Sequence, residues 1–458
     1  MSTLLVGGLS SVHDPLCAAA LRGIGLDAVP LAARTDAGLR RARGLGNHGQ
    51  CNPAHYAVGA VLEHAQQSGQ APADFARRHE WLTIGSCGPC RLASFGFEYA
   101  RVLDGAGLGA LPLRSVEQLA FVPGETGEAG AVEGRAADAL LRAVVAGDVL
   151  SALGHRLRPW AVTPAEVDAL VVAGRDAVAE AFATNDEPWP ALLTVGLAAE
   201  ALAVDLGRAL PRVLLVGEPW TTLADGDPSY DLARRLEVYG AEVDAPRAVE
   251  WLRYRLWEEI RDARRFGPPD AVAARVATLH GADRRLRALW RQYTVAVGVP
   301  VGPLAEPDVL ALAASPHYDV DVRGGSAHLE VGRALVAVRD RTAHLVLSLK
   351  PFGCLPSSAL SDGVLGVRLR ESGDVGFLAV ETTGDADAAV ESRLEMTLHA
   401  AALCAAADFD SACLEQSLTP DAARARLSAM PVAATAIDGE RDYACTAAEL
   451  ILRQPPRV

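Results

Sequence analysis

Lysine is almost missing from this chain of 458 residues: Lys350 is the only one. A phosphate loop of the form G-x-x-x-x-G-K-[ST] is therefore excluded, and Schiff-base chemistry has a single candidate residue. Basic blocks are missing too. The net charge of -14 argues against a nucleic-acid partner, which would require a clustered basic face. Arg, Asp or Glu interrupts every apolar stretch before it reaches the length of a bilayer span, so no membrane partner is expected. The first ten residues carry no basic segment, and Leu4-Leu5-Val6 is too short for a signal-peptide core. These absences point to a cytoplasmic protein. There the eight cysteines are expected to be reduced, metal-bound or catalytic rather than paired as structural disulfides.

What is present suits a multidomain globular chain. Half of the residues are hydrophobic and the mean hydropathy is +0.15. Leu4 to Leu9 reads as a strand ending in the glycine turn Gly7-Gly8, Pro15 to Gly23 as a helix, and Asp27 to Leu31 as a second strand. That is the opening of a parallel, doubly wound sheet. Gly7-Gly8 lacks the third spaced glycine and the ribose-binding acid of a dinucleotide site. Residues 54–67 read as a helix, and Pro123 to Gly134 as a Gly- and Glu-rich linker. Ala136 to Leu153 and Pro164 to Leu206 are Ala- and Leu-rich with a helical period, which predicts a helical insertion or lid. A second α/β region opens at Arg212 to Pro219, continues through two amphipathic helices from Glu250 to Val295, and adds strands at Ala343 to Leu349 and Val375 to Glu381. A helix from Ala386 to Ala407 then closes it. The fold class expected is α/β, with stacked Rossmann-like domains, parallel sheets and a helical insertion. The division expected is 1–130, 131–208, 209–403 and a C-terminal extension, 404–458.

Four cysteines stand in turns rich in Gly or Pro: Cys51 in His48-Gly49-Gln50-Cys51-Asn52-Pro53, Cys87 and Cys90 in Gly85-Ser86-Cys87-Gly88-Pro89-Cys90-Arg91, and Cys354 in Pro351-Phe352-Gly353-Cys354-Leu355-Pro356. The pair follows the apolar run Trp81 to Ile84 and precedes a helical segment from Leu92 to Leu103. Backbone N–H groups and the helix dipole would favour thiolate there. Cys17, Cys404, Cys413 and Cys445 lack such settings and read as buried apolar thiols. His55, four residues beyond Cys51, is in geometric reach of a metal held there. Trp251, Tyr254, Trp257, Leu279, Leu286 and Trp290 read as core.

Three chemistries compete for the turn cysteines. An iron–sulfur cubane takes thiolates from loops whose Gly and Pro let N–H groups approach the sulfurs. Structural zinc also takes four thiolates, though usually as two C-x-x-C pairs close in sequence. A dithiol redox centre is the third, because Cys87-Gly88-Pro89-Cys90 matches the thioredoxin tetrapeptide; Ser86 replaces the Trp that usually precedes it. Ser86 could donate to a sulfur or cap the helix. Arg91 and Lys350 could offset cluster charge, meet an anionic substrate or be solvated. Glu218, at the end of a strand, suits a functional role and a helix cap equally.

Cys51-Asn52-Pro53-Ala54, Ser86 to Arg91, Val216-Gly217-Glu218-Pro219, Leu236 to Val243 and Pro351 to Pro356 occur in one order. In these motifs the chain resembles the 2-hydroxyacyl-CoA dehydratase D-component-like proteins, which include benzoyl-CoA-reductase-type and double-cubane-cluster relatives. The resemblance covers roughly residues 1–403. It implies a [4Fe–4S] cluster at the carboxyl ends of the strands, with Cys51, Cys87, Cys90 and Cys354 as ligands. It also implies a separate ATP-dependent activase with its own cluster, a small-molecule or acyl-CoA substrate, and pairing as a homo- or heterodimer. A double cubane would need two further ligands. Two departures stand out. Pro219-Trp220-Thr221-Thr222 lacks the Arg usual at that loop, and Phe95-Gly96-Phe97 stands where Gly-Gln-Tyr is common. The functions this leaves open are a reductase or dehydratase component, an electron-relay or scaffold subunit, and a thiol–disulfide oxidoreductase using Cys87 and Cys90.

Overall fold

The computed structural model describes residues 2–85, 90–117, 128–317, 319–323, 325–373, 375–384, 388–435, 437 and 440–454. Ser86, Cys87 and the start of the expected linker, 123–127, lie outside them. Among the described residues eight strands form two sheets with the same order. In the first, β1 (Thr3–Val6), β2 (Ala28–Pro30), β3 (His79–Gly85) and β4 (Leu113–Glu117) run β2-β1-β3-β4. In the second, β5 (Arg212–Gly217), β6 (Glu242–Asp244), β7 (Leu345–Pro351) and β8 (Gly376–Thr382) run β6-β5-β7-β8. Every pairing is parallel. The expected α/β class with two stacked parallel-sheet units is what the chain forms.

Parallel strands covered on both faces need unbroken apolar runs, and β7 is buried at all seven positions. Alternation sends neighbouring residues to opposite layers. Val213 and Leu215 join the helices Leu232–Val238 and Ala388–Glu415, whereas Leu214 and Val216 join Ala327–Arg339 and Asp362–Ser372. The first sheet has His13–Gly23 on one face and Asn52–Gln67 with Phe95–Gly105 on the other. In both sheets the order reverses between the two central strands, so the crevices open past the carboxyl ends of β1 and β3, and of β5 and β7.

The expected insertion is a structural layer rather than a lid. The helices Glu128–Leu157, Pro164–Ala183 and Trp189–Glu200 share the largest apolar core with His13–Gly23, Ala248–Phe266 and Val272–Val297. Residues 128–134, read as linker, belong to the first of these helices. The run expected from Pro164 to Leu206 breaks between its two helices, where Asn185 takes φ +59°. A buried polar joint fastens this layer to both sheets. Asp148 accepts from the N–H groups of Ala248 and Val249 (3.0 and 2.7 Å) and faces His13 Nε2 at 3.2 Å; His13 Nδ1 is 2.6 Å from Ser10 Oγ. Tyr254, Leu279, Leu286 and Trp290 are core, and Trp257 stacks on Tyr254 at 5.7 Å.

Position 403, expected as a boundary, falls inside the helix Ala388–Glu415, which carries on to the helices Pro420–Leu427 and Thr446–Arg453. These bury Trp160, Phe409 and Cys445 together. Cys17, Cys413 and Cys445 are buried as expected, but Cys404 is exposed because it falls on the outward side of that helix. No described helix is long and apolar enough to cross a membrane.

Candidate functional site

Cys51 is the residue before the helix Asn52–Gln67, where its extended backbone (φ -79°, ψ 155°) turns the chain into the helix and Pro53 fixes the first turn. Asn52 is fully buried and fastens the two halves of the molecule beside that cysteine. Its N–H donates to Phe352 O at 3.1 Å, its Nδ2 donates to Thr382 O at 2.8 Å, and its Oδ1 accepts from Arg43 Nη2 at 2.5 Å. Both carbonyls belong to the second sheet's carboxyl edge, so residues some 300 positions apart meet here.

Cys354 follows β7 through a tight turn: its N–H donates to Pro351 O at 3.1 Å, and Gly353 sits at φ +81°. A side chain at 353 would stand 3.1 Å from Cys51 Cα and 3.2 Å from Arg91 Nη1. Glycine there satisfies both the backbone conformation and the close approach of the Cys51 loop. The chain then makes a single π-type turn, Ser357–Ser361, before the helix Asp362–Ser372. Such turns often mark functional sites. Cys90 precedes the 3-10 turn Arg91–Ser94 and the helix Phe95–Gly105, one turn later than a simple helix start would give.

The three described thiols share an electrostatic environment. Cys51 and Cys354 are buried and Cys90 is half-buried. Burial pushes the Cys51 thiol up to about 12, with Glu218 and Cys90 adding and Arg91 opposing. Burial and then Glu218 push Cys354 up as well. Cys90 rises because burial outweighs the N–H groups of Leu92 and Arg91, so the expected preference for thiolate at that helix start is overridden. Glu218 acts on all three. Its carboxylate caps the short helix Pro219–Leu223, accepting from the N–H groups of Trp220 (3.1 Å) and Thr221 (2.7 Å) and from Thr221 Oγ1 (2.8 Å). Burial raises its pKa against those bonds.

The other charged candidates turn inward. Arg91 donates to Gly49 O and so braces the Cys51 loop. Lys350 is buried and paired with Asp362, which also accepts from Ser348 Oγ at 2.7 Å. That burial rules out the solvated reading of Lys350, and its charge is engaged by Asp362. The His55 ring lies buried 4.0 Å from Glu98, between the helices Asp36–Leu45 and Phe95–Gly105. His64, Phe75 and His79 form a ring cluster of their own.

Sequence reasoning missed Asn52 and Glu330. Glu330 is buried and accepts from Ser357 Oγ (2.9 Å) and Ser326 Oγ (2.8 Å), while among the described residues its Oε2 has no hydrogen-bond partner. The only sequence signal was Asn directly after Cys51, and Ser three positions after Cys354.

Among the described residues no group of three or more His, Cys, Asp and Glu side chains could hold a single metal ion. A cubane makes a different demand, because its thiolates bind different irons and stand farther apart than the ligands of one ion. Cys51, Cys90 and Cys354 fit that donor set in type, in their loop settings and in the joining of their loops. Cys87 lies outside the described residues. No family model matches the chain, and no curated protein matches it.

Proposed function

We propose that this chain is an iron–sulfur protein in which Cys51, Cys87, Cys90 and Cys354 hold a [4Fe–4S] cluster. In this reading it receives a low-potential electron from a separate ATP-dependent activase and uses it to reduce or dehydrate a small substrate, of which an acyl-CoA is the version the resemblance suggests. The observation that carries the reading is the 3.1 Å bond from Asn52 N–H to Phe352 O, which joins the loops of Cys51 and Cys354 across the two sheets. A cluster held there would supply one-electron chemistry, and all-thiolate ligation with burial favours a low potential. The protein's own part is to position and insulate. Asn52 and Gly353 hold the two loops in register, Arg91 offsets negative charge beside Cys51, and Glu218 sits capped within reach of the thiols.

The test is iron and acid-labile sulfide analysis of protein purified without oxygen. Wild type is expected to be brown with about four irons per chain. Cys51→Ala and Cys354→Ala are each expected to lose most of the iron. Colourless wild type, with Cys87 and Cys90 cycling between dithiol and disulfide, would end the cluster reading and leave the oxidoreductase one. An intact cluster with no turnover of acyl-CoA substrates would leave the relay or scaffold role.

A further inference from the structure

The far end of the second sheet carries a second, unrelated chemistry. Arg212 opens β5 and Glu242 opens β6, and the two are register partners. Opposite charges on neighbouring parallel strands ordinarily pair. Here they do not: Arg212 makes no ion pair among the described residues, its Nη1 is buried without a partner, and Glu242 Oε1 is also buried without one. Both line a cavity of about 360 Å³, together with Arg156, Asp244, Arg247 and Arg333.

Most of the charges around this cavity are paired with one another. Asp244 is taken by Arg333 at 3.1 Å, and Glu250 by Arg333 and Arg247 at 2.8 and 3.1 Å. Among the described residues Arg156 has carbonyl partners, Pro300 O at 3.2 Å and Thr435 O at 3.1 Å, and no carboxylate at ion-pair distance. Arg441 does not line the cavity; its buried side chain binds Thr446 Oγ1 and Ile437 O, and among the described residues its Nε has no partner. Arg212 and Arg156 lie close enough to Arg441 to help burial lower its pKa to about 9. Two half-buried arginines, Arg156 and Arg212, therefore face the cavity together with Glu242, and none of the three has an ion pair among the described residues. Guanidinium groups left without a carboxylate partner suit an anionic ligand.

We propose that this cavity binds a small phosphorylated compound, its phosphate held by the guanidinium groups of Arg212 and Arg156 and an adjacent hydroxyl donating to Glu242. A guanidinium matches a phosphate with paired N–H donors, and Arg156 and Arg212 offer two that form no ion pair among the described residues. A hydroxyl beside the phosphate meets the unsatisfied oxygen of Glu242, which a bare phosphate would repel. The class is thus sugar phosphates and the ribose-phosphate end of nucleotides, and the cavity volume is at the lower end of small-molecule sites. The site is remote from the cysteines. Arg212 begins β5 and Glu218 follows its end, so the strand's length, roughly 20 Å, separates them. The walls come from the helix Glu128–Leu157, the second sheet, residues 301–306 and Ile437, so a bound phosphate sits between Ile437 and the sheet.

Isothermal titration calorimetry of the full chain tests this with ribose 5-phosphate, inorganic phosphate and ribose at equal ionic strength. Wild type is expected to bind ribose 5-phosphate in a one-to-one complex, inorganic phosphate more weakly, and ribose not at all. Arg212→Gln removes a guanidinium with no ion pair among the described residues, so the variant is expected to fold and to bind ribose 5-phosphate about tenfold more weakly or worse. Glu242→Gln is expected to act in the opposite direction on inorganic phosphate, tightening it by removing the repulsion. Failure of wild type to bind either phosphate compound would overturn the proposal. So would unchanged affinity in both variants.

Discussion

The two sheets have one strand order and two ways of making the same turn. Past β1 the chain passes through Gly8 at φ +141°, with no atom within 4 Å of where a side chain would begin. Past β5 it passes through Gly217 at φ +133°, where a side chain would run into the carbonyl of Leu349 on β7. The first glycine is required by backbone conformation alone, the second by conformation and contact. β3 has exposed and half-buried positions, whereas β7 is buried throughout. The second sheet is thus the fixed platform, and the first brings its cysteines to that platform across the Asn52 contacts.

The largest effect should come from Gly217→Ala set against Gly8→Ala. Alanine at 217 must displace the β7 backbone at a buried strand pair, so a loss of about 3 kcal/mol or more is expected. Alanine at 8 meets only the conformational penalty, about 1 kcal/mol. Chemical denaturation of the two variants reads the difference. Equal losses would mean that the turns are built alike and that the platform description is wrong.

Gly353→Ala is the next test, because it strikes where the sheets meet. Its φ of +81° and its 3.1 Å approach to Cys51 Cα together predict a loss of about 2 kcal/mol. The more telling readout is iron content under anaerobic purification. On the proposed function, pushing the 353 turn away from Cys51 should lower iron binding by more than Gly217→Ala does, despite the smaller loss of stability. Iron retained in full by a folded Gly353→Ala variant would show that the two loops need not touch for a cluster to form.

Much of this was legible before any coordinates. The run Val213 to Val216 and the run Leu345 to Leu349 announce strands buried on both faces, and Gly or Pro beside four cysteines announces loops at strand ends. Position was harder to read. Nothing local in Asn52 says that its amide reaches Thr382, because that bond depends on two sheets closing over one another. Lys350 misled for the same reason: a lone lysine near a cysteine suggests chemistry, and only the fold brings Asp362 to neutralise it. The helical region reads as an insertion or lid because an Ala- and Leu-rich period fixes the helices and not what they pack against. Arg212 and Glu242 sit in ordinary strand starts, and their unmet charge exists only once register sets them side by side.

The smallest effect tests whether the first half of the molecule is the acid-sensitive one. His55 is buried, and Arg43, His48, Glu98 and the Asn47 backbone act on its ring. Burial first, then Arg43 and His48, lower its pKa from 6.5 to about 4, with Glu98 opposing. The unfolded chain therefore binds a proton on this ring across a window where the folded chain does not. The contribution to stability is complete above pH 6.5, declines as pH falls towards 4, and is constant below that. Between about pH 7 and pH 5 it should amount to about 1 kcal/mol once solvent screening is allowed for. His55→Leu removes the titration while keeping an apolar side chain in the same space. Urea midpoints measured at both pH values should fall less steeply for the variant than for wild type. Parallel slopes would move the acid sensitivity away from the Cys51 helix and into the rest of the chain.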